Sequence, residues 1–224
     1  TPEWMATALG LRSGDVEHVT VADEHHGTAS RARLSLGYRT PGLGPETVFL
    51  KFAPNAYVGR LFLNALGLGE REVGVYRQVL GELPHIAPKG YVAQWDRQHG
   101  RGVLVIEDLT ARGCRLNDVR SACPPQDASR VLATLAMVHA RYWNSPRFQG
   151  DLRCLVNSGA QRAIAEQVKA AALKRSIGGV PQDVQRAARV LDRRGDAVDT
   201  FWASLPGTLT HGDAHLGNIF FNPD

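Results

Sequence analysis

From Val16 to Phe52 apolar and polar residues alternate with a period of two, interrupted by turn residues. "VEHVTVA" and "RARLSLGYR" read as strands joined by "DEHHGTAS", and "TVFLKF" follows the turn "TPGLGPE", so an antiparallel meander of three strands is predicted. After Pro54 the period lengthens. "AYVGRLFLNAL" and "GEREVGVYRQVLGEL" read as helices, the second carrying Val73, Tyr76, Val79 and Leu80 on one face and ending at Pro84. "PKGYVAQWD" and "RGVLVIEDL" then restore strand character on either side of the turn "RQHG". The second half is helical by pattern and propensity: "PQDASRVLATLAMVHARYWN" spaces Val131, Leu135, Val138 and Tyr142 as a buried stripe, and "AQRAIAEQVKAAALKRS" and "QDVQRAARVLDRRGDAVDTFWASL" follow. The pattern therefore predicts an α+β chain: a β-rich part over residues 1–106, a polar strap at 107–113, and a mainly helical part over 114–224, with no internal repeat.

Composition narrows the partners. Hydrophobic residues make up 43% and charged residues 21%, ordinary globular usage that argues against disorder. The net charge of +4 comes from scattered arginines rather than a basic stripe interleaved with aromatics, which argues against nucleic acid as a partner. The arginine-rich stretches, Arg71–Arg77 and Arg186–Arg194, read as solvated helix faces, and mild basicity also suits a polyanionic small ligand. Cys114, Cys123 and Cys154 are odd in number and lack C-x-x-C spacing, so neither a disulfide framework nor a zinc knuckle is expected. No apolar run is long enough for a membrane span, and "TPEWMATALGLRSGD" lacks the layout of a signal peptide. A cytoplasmic protein without a membrane partner is expected.

Candidate chemistry gathers at four places. Lys51 sits in the apolar strand "VFLKF", where a charge needs either the surface or a partner, and Glu72 in the following helix can supply that partner, with Glu70 as the alternative in helix phase. A Lys–Glu pair would hold the ammonium toward phosphate oxygens. "VLVIEDL" reads as a buried strand running into a polar turn; its strap could offer the Glu107 carbonyl and the Leu109 amide to an adenine edge, with Ile106 behind. The loop "HHGTASRAR" with Gly27 could cover phosphates through backbone amides, although it lacks G-x-G-x-x-G.

The fourth place is "HGDAHLGN", residues 211–218, set between strand-like "GTLT" and "IFF". His211, Asp213 and His215 could ligate a metal as a His/Asp metallohydrolase would. Alternatively, Asp213 accepts a proton from an incoming hydroxyl and Asn218, five residues on, holds magnesium, the spacing of the protein-kinase loop H-R-D-x-x-x-x-N.

On these residues the chain resembles the aminoglycoside phosphotransferase and choline kinase-like family of small-molecule kinases, which have a protein-kinase-like bilobal fold. "HGDAHLGN" is similar to that family's H-G-D-x-H-x-x-N, "VLVIEDL" to its hinge, "VFLKF" to its lysine strand and "EREVGVYRQV" to its glutamate helix. "LAMVHARYW" resembles the L-x-x-x-H-A-x-x-W helix of the ecdysteroid-kinase-like branch. The resemblance implies ATP and Mg²⁺ as cofactors and a small-molecule hydroxyl as acceptor. It also implies Asp213 as catalytic base, Asn218 as metal ligand, Lys51 and Glu72 at the phosphates, and His211 and His215 as supports, with His139 a packing residue. The family's second metal-binding aspartate, on the strand after this loop, has no counterpart before Asp224. The expectation is accordingly a fragment of a longer protein that by itself binds nucleotide weakly and turns over little. A nucleotide-binding protein of kinase-like fold without chemistry is the competing expectation.

Overall fold

Alternation in the first half builds one sheet whose two faces meet different partners. The computed structural model describes residues 1–26, 30–54, 56–176 and 179–223. Strands β1 (Val16–His26), β2 (Ser30–Tyr38), β3 (Thr47–Phe52), β4 (Gly90–Asp96) and β5 (Arg101–Glu107) form an antiparallel sheet in the order β1-β2-β3-β5-β4. The Tyr38 hydroxyl donates to the Pro45 carbonyl at 2.7 Å and ties the β2–β3 turn. The first two strands run further than the alternation predicts: His25, His26 and Ser30–Arg33 of "HHGTASRAR" are strand residues, and Gly27 lies outside the described residues.

One face of the sheet is covered by a helix that periodicity had not singled out, α1 (Pro2–Ala8). Thr1 caps it, accepting from the Trp4 amide at 3.3 Å, and Pro2 occupies the first turn, where its missing N–H has no intrahelical partner to lose. Met5 and Ala6 are buried against Val16, Ala32, Leu34, Leu36, Val48 and Val105. On the other face lie α2 (Tyr57–Ala65) and α3 (Leu68–Gln78), and Val73 of α3 packs on Leu104 and Ile106 with Phe49, Tyr76 and Trp95 around them. Helix α3 ends at Gln78, short of Pro84, and a 3₁₀ turn over Leu80–Glu82 follows. Arg71 departs from the solvated face expected of it. It is half-buried, donates to the Leu66 carbonyl at 2.6 Å, and bonds the Asn157 side chain.

The helical part contains α4 (Pro125–Arg141), α5 (Gly159–Ser176), α6 (Gln182–Arg193) and α7 (Gly195–Ser204). The single stretch 182–205 of the sequence pattern is thus two helices, broken at Arg194. A two-stranded sheet pairs β6 (Arg115–Leu116) with β7 (Phe220–Phe221), while 207–210 ("GTLT") is not a strand. The stripe on α4 has the predicted phase but less burial: Tyr142 is 1% exposed, whereas Val131, Leu135 and Val138 are half-buried. Among the described residues no side chain of α5, α6 or α7 enters the buried clusters, and Phe201 and Trp202 meet edge to face at the surface. No helix among the described residues is long and apolar enough to cross a membrane.

Tyr142 and Leu152 join Val79 and Leu83 in the cluster that connects the end of α3 to α4 and to Leu209. Glu82 caps this junction, accepting from Arg141 at 2.9 Å, Arg147 at 2.7 Å and the Tyr142 hydroxyl at 3.0 Å. These bonds to Arg141, Arg147 and Tyr142 hold the Glu82 pKa down at about 2, from an ordinary 4.5. A depressed carboxylate stabilises the fold fully above its unfolded pKa, and that contribution is lost as pH falls through the folded value. Unfolding free energy measured by urea denaturation should therefore decline from about pH 4.5 to about pH 2, with a flatter decline in Glu82→Gln; identical pH profiles would exclude this role. Leu152→Ala, at a site with 0% exposure, should lower stability by about 2–5 kcal/mol in the same assay.

Candidate active site

Lys51 is on the β3 face that looks toward α3, the same face as Phe49, because successive strand residues point to opposite sides. Its ammonium forms an ion pair with the Glu72 carboxylate. Helix α3 starts at Gly67, whose φ of +65° suits glycine and where a Cβ would collide with the Gln161 side chain. That start sets the phase of the glutamates. Glu72 faces Lys51, whereas Glu70 bonds Arg97 at 2.9 Å. Tyr76, one turn beyond Glu72, has its hydroxyl pKa pushed well up by burial, with a further push from the Glu72 charge.

The strap begins where β5 ends. Ile106 is buried between Leu104 and Val73, and the Glu107 amide donates to the Lys89 carbonyl at 2.8 Å. The Glu107 carboxylate accepts from the Lys89 amide at 3.1 Å and from Arg112 at 3.1 Å. Leu109 is buried, and its carbonyl accepts from the Cys114 amide at 3.0 Å. Between them stands Asp108, only 6% exposed, a residue that no motif of the sequence marks. It accepts from the Thr110 hydroxyl at 2.6 Å and amide at 3.1 Å, and its Oδ2 lies 3.0 Å from Arg33 Nε on β2. Burial opposes its charge, but the Thr110 bonds and the Arg33 guanidinium outweigh burial and hold its pKa below the ordinary carboxylate value. The available signal was an acid directly behind an apolar strand, together with an arginine inside an alternating one.

The "HGDAHLGN" loop is held by its own polar groups. Gly212 has φ +80°, a left-handed conformation that strains any L side chain, so the turn needs glycine between His211 and Asp213. His211 Nδ1 accepts from the Asp213 amide at 3.2 Å and His215 Nδ1 from the Gly217 amide at 3.1 Å. Asn218 Nδ2 donates to the Asp213 carboxylate at 2.9 Å and to its carbonyl at 3.1 Å, and lies 3.2 Å from His215 Nε2. Asp213 is exposed, its side chain 72% accessible.

Contacts on both sides fix where this loop sits. The Thr208 hydroxyl donates to the His139 carbonyl at 2.7 Å, and the Asn144 amide donates to the Gly207 carbonyl at 2.7 Å, so the C-terminal end of α4 braces the approach. After the loop, β7 pairs with β6, where Arg115 stacks 4.5 Å over the Phe221 ring and bonds Asp127 of α4 at 2.7 Å. Arg112 reaches from Glu107 to Asn222 Oδ1 at 2.9 Å, linking the strap to the residues just past the loop.

Among the described residues no three His, Cys, Asp or Glu side chains converge as a metal cage. The His211–Asp213–His215 alternative is therefore not assembled, because the ring Nδ1 atoms of both histidines are turned to loop amides. Two residues that carry oxygen donors of the kind magnesium prefers, Asp213 and Asn218, are neighbours in the loop, joined through the Asn218 amide nitrogen, which leaves the Asn218 side-chain oxygen out of that bond. Lys51 meets Glu72, and Asp213 meets Asn218 and His215; among the described residues no hydrogen bond or ion pair joins the first pair to the second group. Asp224 lies outside the described residues.

A five-stranded antiparallel sheet with a strand lysine paired to a helix glutamate, followed by helices and an Asp–x₄–Asn loop, defines a kinase-like phosphotransferase. Residues 40–224 match the model of the phosphotransferase enzyme family, APH, and the chain belongs to that family. The matched span begins after β2 and runs through the loop. No curated protein and no solved structure matches the chain.

Arg112→Ala should break the tie between strap and loop. Backbone hydrogen exchange over 213–221 should speed up several-fold, on the scale of about 1 kcal/mol for a partly exposed ion pair, while β1–β5 keep their protection. Unchanged exchange over 213–221 would mean that Arg112 does not hold the loop.

Proposed function

We propose that the protein transfers the γ-phosphoryl group of ATP, with Mg²⁺, to a hydroxyl of a small molecule. The observation that carries this reading is the Asp213–Asn218 pair, hydrogen-bonded at 2.9 Å in an exposed loop of a phosphotransferase-family chain. Phosphoryl transfer asks for positioning and charge neutralisation more than covalent chemistry, so a few well-held groups suffice. The acceptor oxygen bonds to the γ-phosphorus as the bond to the β–γ bridging oxygen breaks. ADP leaves, and the hydroxyl proton passes to the Asp213 carboxylate.

Each remaining residue has a part that its contacts support. Asn218, with its amide nitrogen committed to Asp213, offers Oδ1 to magnesium, which when bound neutralises phosphate charge. Glu72 keeps the Lys51 ammonium extended toward the phosphates, and the strap presents the Glu107 carbonyl and Leu109 amide to the base above Ile106. His211 and His215 brace the loop through its amides. The β-rich residues 1–106 serve the nucleotide and the helical residues 114–224 the acceptor, with 107–113 as hinge. The "LAMVHARYW" resemblance to the ecdysteroid-kinase-like branch favours a hydroxylated acceptor other than an aminoglycoside.

ATP consumption across a panel of hydroxylated small molecules tests the proposal. With a responding acceptor, Asp213→Ala should lower kcat by at least about 100-fold and leave ATP affinity within a few-fold, the signature of a lost general base. A variant that retained the parental rate would remove Asp213 from this role. ATP binding without consumption of any acceptor would favour the non-catalytic alternative.

A further inference from the structure

Strand β2 carries two arginines on the face it shares with Lys51. Its other residues, Ala32, Leu34 and Leu36, are buried against α1, so Arg31, Arg33 and Ser35 look the opposite way. The register sets Arg33 opposite Phe49 and Arg31 opposite Lys51. The two arginines then differ in one respect. Arg33 is committed to the buried Asp108, whereas among the described residues no carboxylate pairs with Arg31, which is exposed.

Like charges directly opposite each other across an antiparallel pair, with Cβ atoms about 5 Å apart, repel and destabilise the pairing. Glu72 pairs with Lys51 and Asp108 with Arg33, so Arg31, diagonal to Asp23 of β1, is the cation of this face that no carboxylate among the described residues pairs with. Across β1 its register partner is His25, which adds no negative charge. An exposed guanidinium beside the Lys51 strand position, without a carboxylate partner among the described residues, is open to a polyanion. Resting on the reading of Lys51 as a phosphate contact, we propose that Arg31 is a second phosphate-binding residue, its guanidinium gripping the polyphosphate of the nucleotide one strand away from Lys51. The planar fork suits two phosphate oxygens at once, which the Lys51 point charge does not. The inference lies outside the family match, which begins at residue 40. It adds a side chain to the backbone amides that the "HHGTASRAR" stretch is expected to offer.

Calorimetric titration of the 224-residue protein with AMP, ADP and ATP, each with Mg²⁺, separates the possibilities. Arg31→Gln should weaken ATP by about ten-fold or more, the scale of a hydrogen bond to a charged group, and AMP by less than about two-fold. Arg31→Lys should recover part of the loss. Arg77→Gln, which removes a charge from the exposed side of α3, controls for the overall field and should leave ATP affinity unchanged. Three results overturn the inference: parental ATP affinity in Arg31→Gln, equal losses for AMP and ATP, or the same ATP loss in Arg77→Gln. Lys51→Gln shows which proposal has failed. If it weakens ATP and Arg31→Gln does not, only the role of Arg31 falls; if neither does, or the parent binds no nucleotide, the phosphate reading of Lys51 falls with it.

Discussion

The ion pair between Lys51 and Glu72 is the contact around which the sheet side of this molecule is arranged. A lysine in an apolar strand costs free energy unless its ammonium finds a partner, and the partner here is carried by the helix that buries Val73 against Leu104 and Ile106. Packing and charge therefore demand the same placement of α3. Its phase is narrow, since turning the helix by two residues would offer Glu70, which instead bonds Arg97 at the rim. The opposite face of the sheet is apolar and buried under α1, so the charged groups of β2 and β3 are confined to one side.

That asymmetry gives the strap its character. Asp108 is nearly enclosed and kept ionised by Thr110 and Arg33, which anchors the junction to β2, while Glu107 on the next position faces outward to Arg112 and the Lys89 amide. Through Arg112 and Asn222 the same junction reaches the segment that follows Asn218. The Asp213 loop is thus fastened at both ends, by α4 before it and by β6 and Arg112 after it, and its interior is stiffened by histidine–amide bonds and a glycine in the left-handed region. Phosphoryl transfer depends on such positioning more than on any reactive side chain. The helices α5 to α7 add little to this frame, as their apolar residues stay outside the buried clusters.

The local order of the chain determined much by itself. Period-two alternation marked the strands, period-3.6 spacing marked the helices, and "HGDAHLGN" with "VFLKF" was specific enough to identify the family that residues 40–224 match. These features are legible because they depend on residues close together in sequence. The tertiary structure alone decided the rest. Helix α1 carries no long periodic pattern and owes its place to the sheet face waiting for Met5 and Ala6. The choice of Glu72 over Glu70 depended on a helix start set by Gly67. Arg33, Asp108 and Arg31 acquired meaning only when strand register put them opposite particular neighbours, a relation between residues up to 75 positions apart. Pairing across such separations is set by burial and register, which no local spacing encodes.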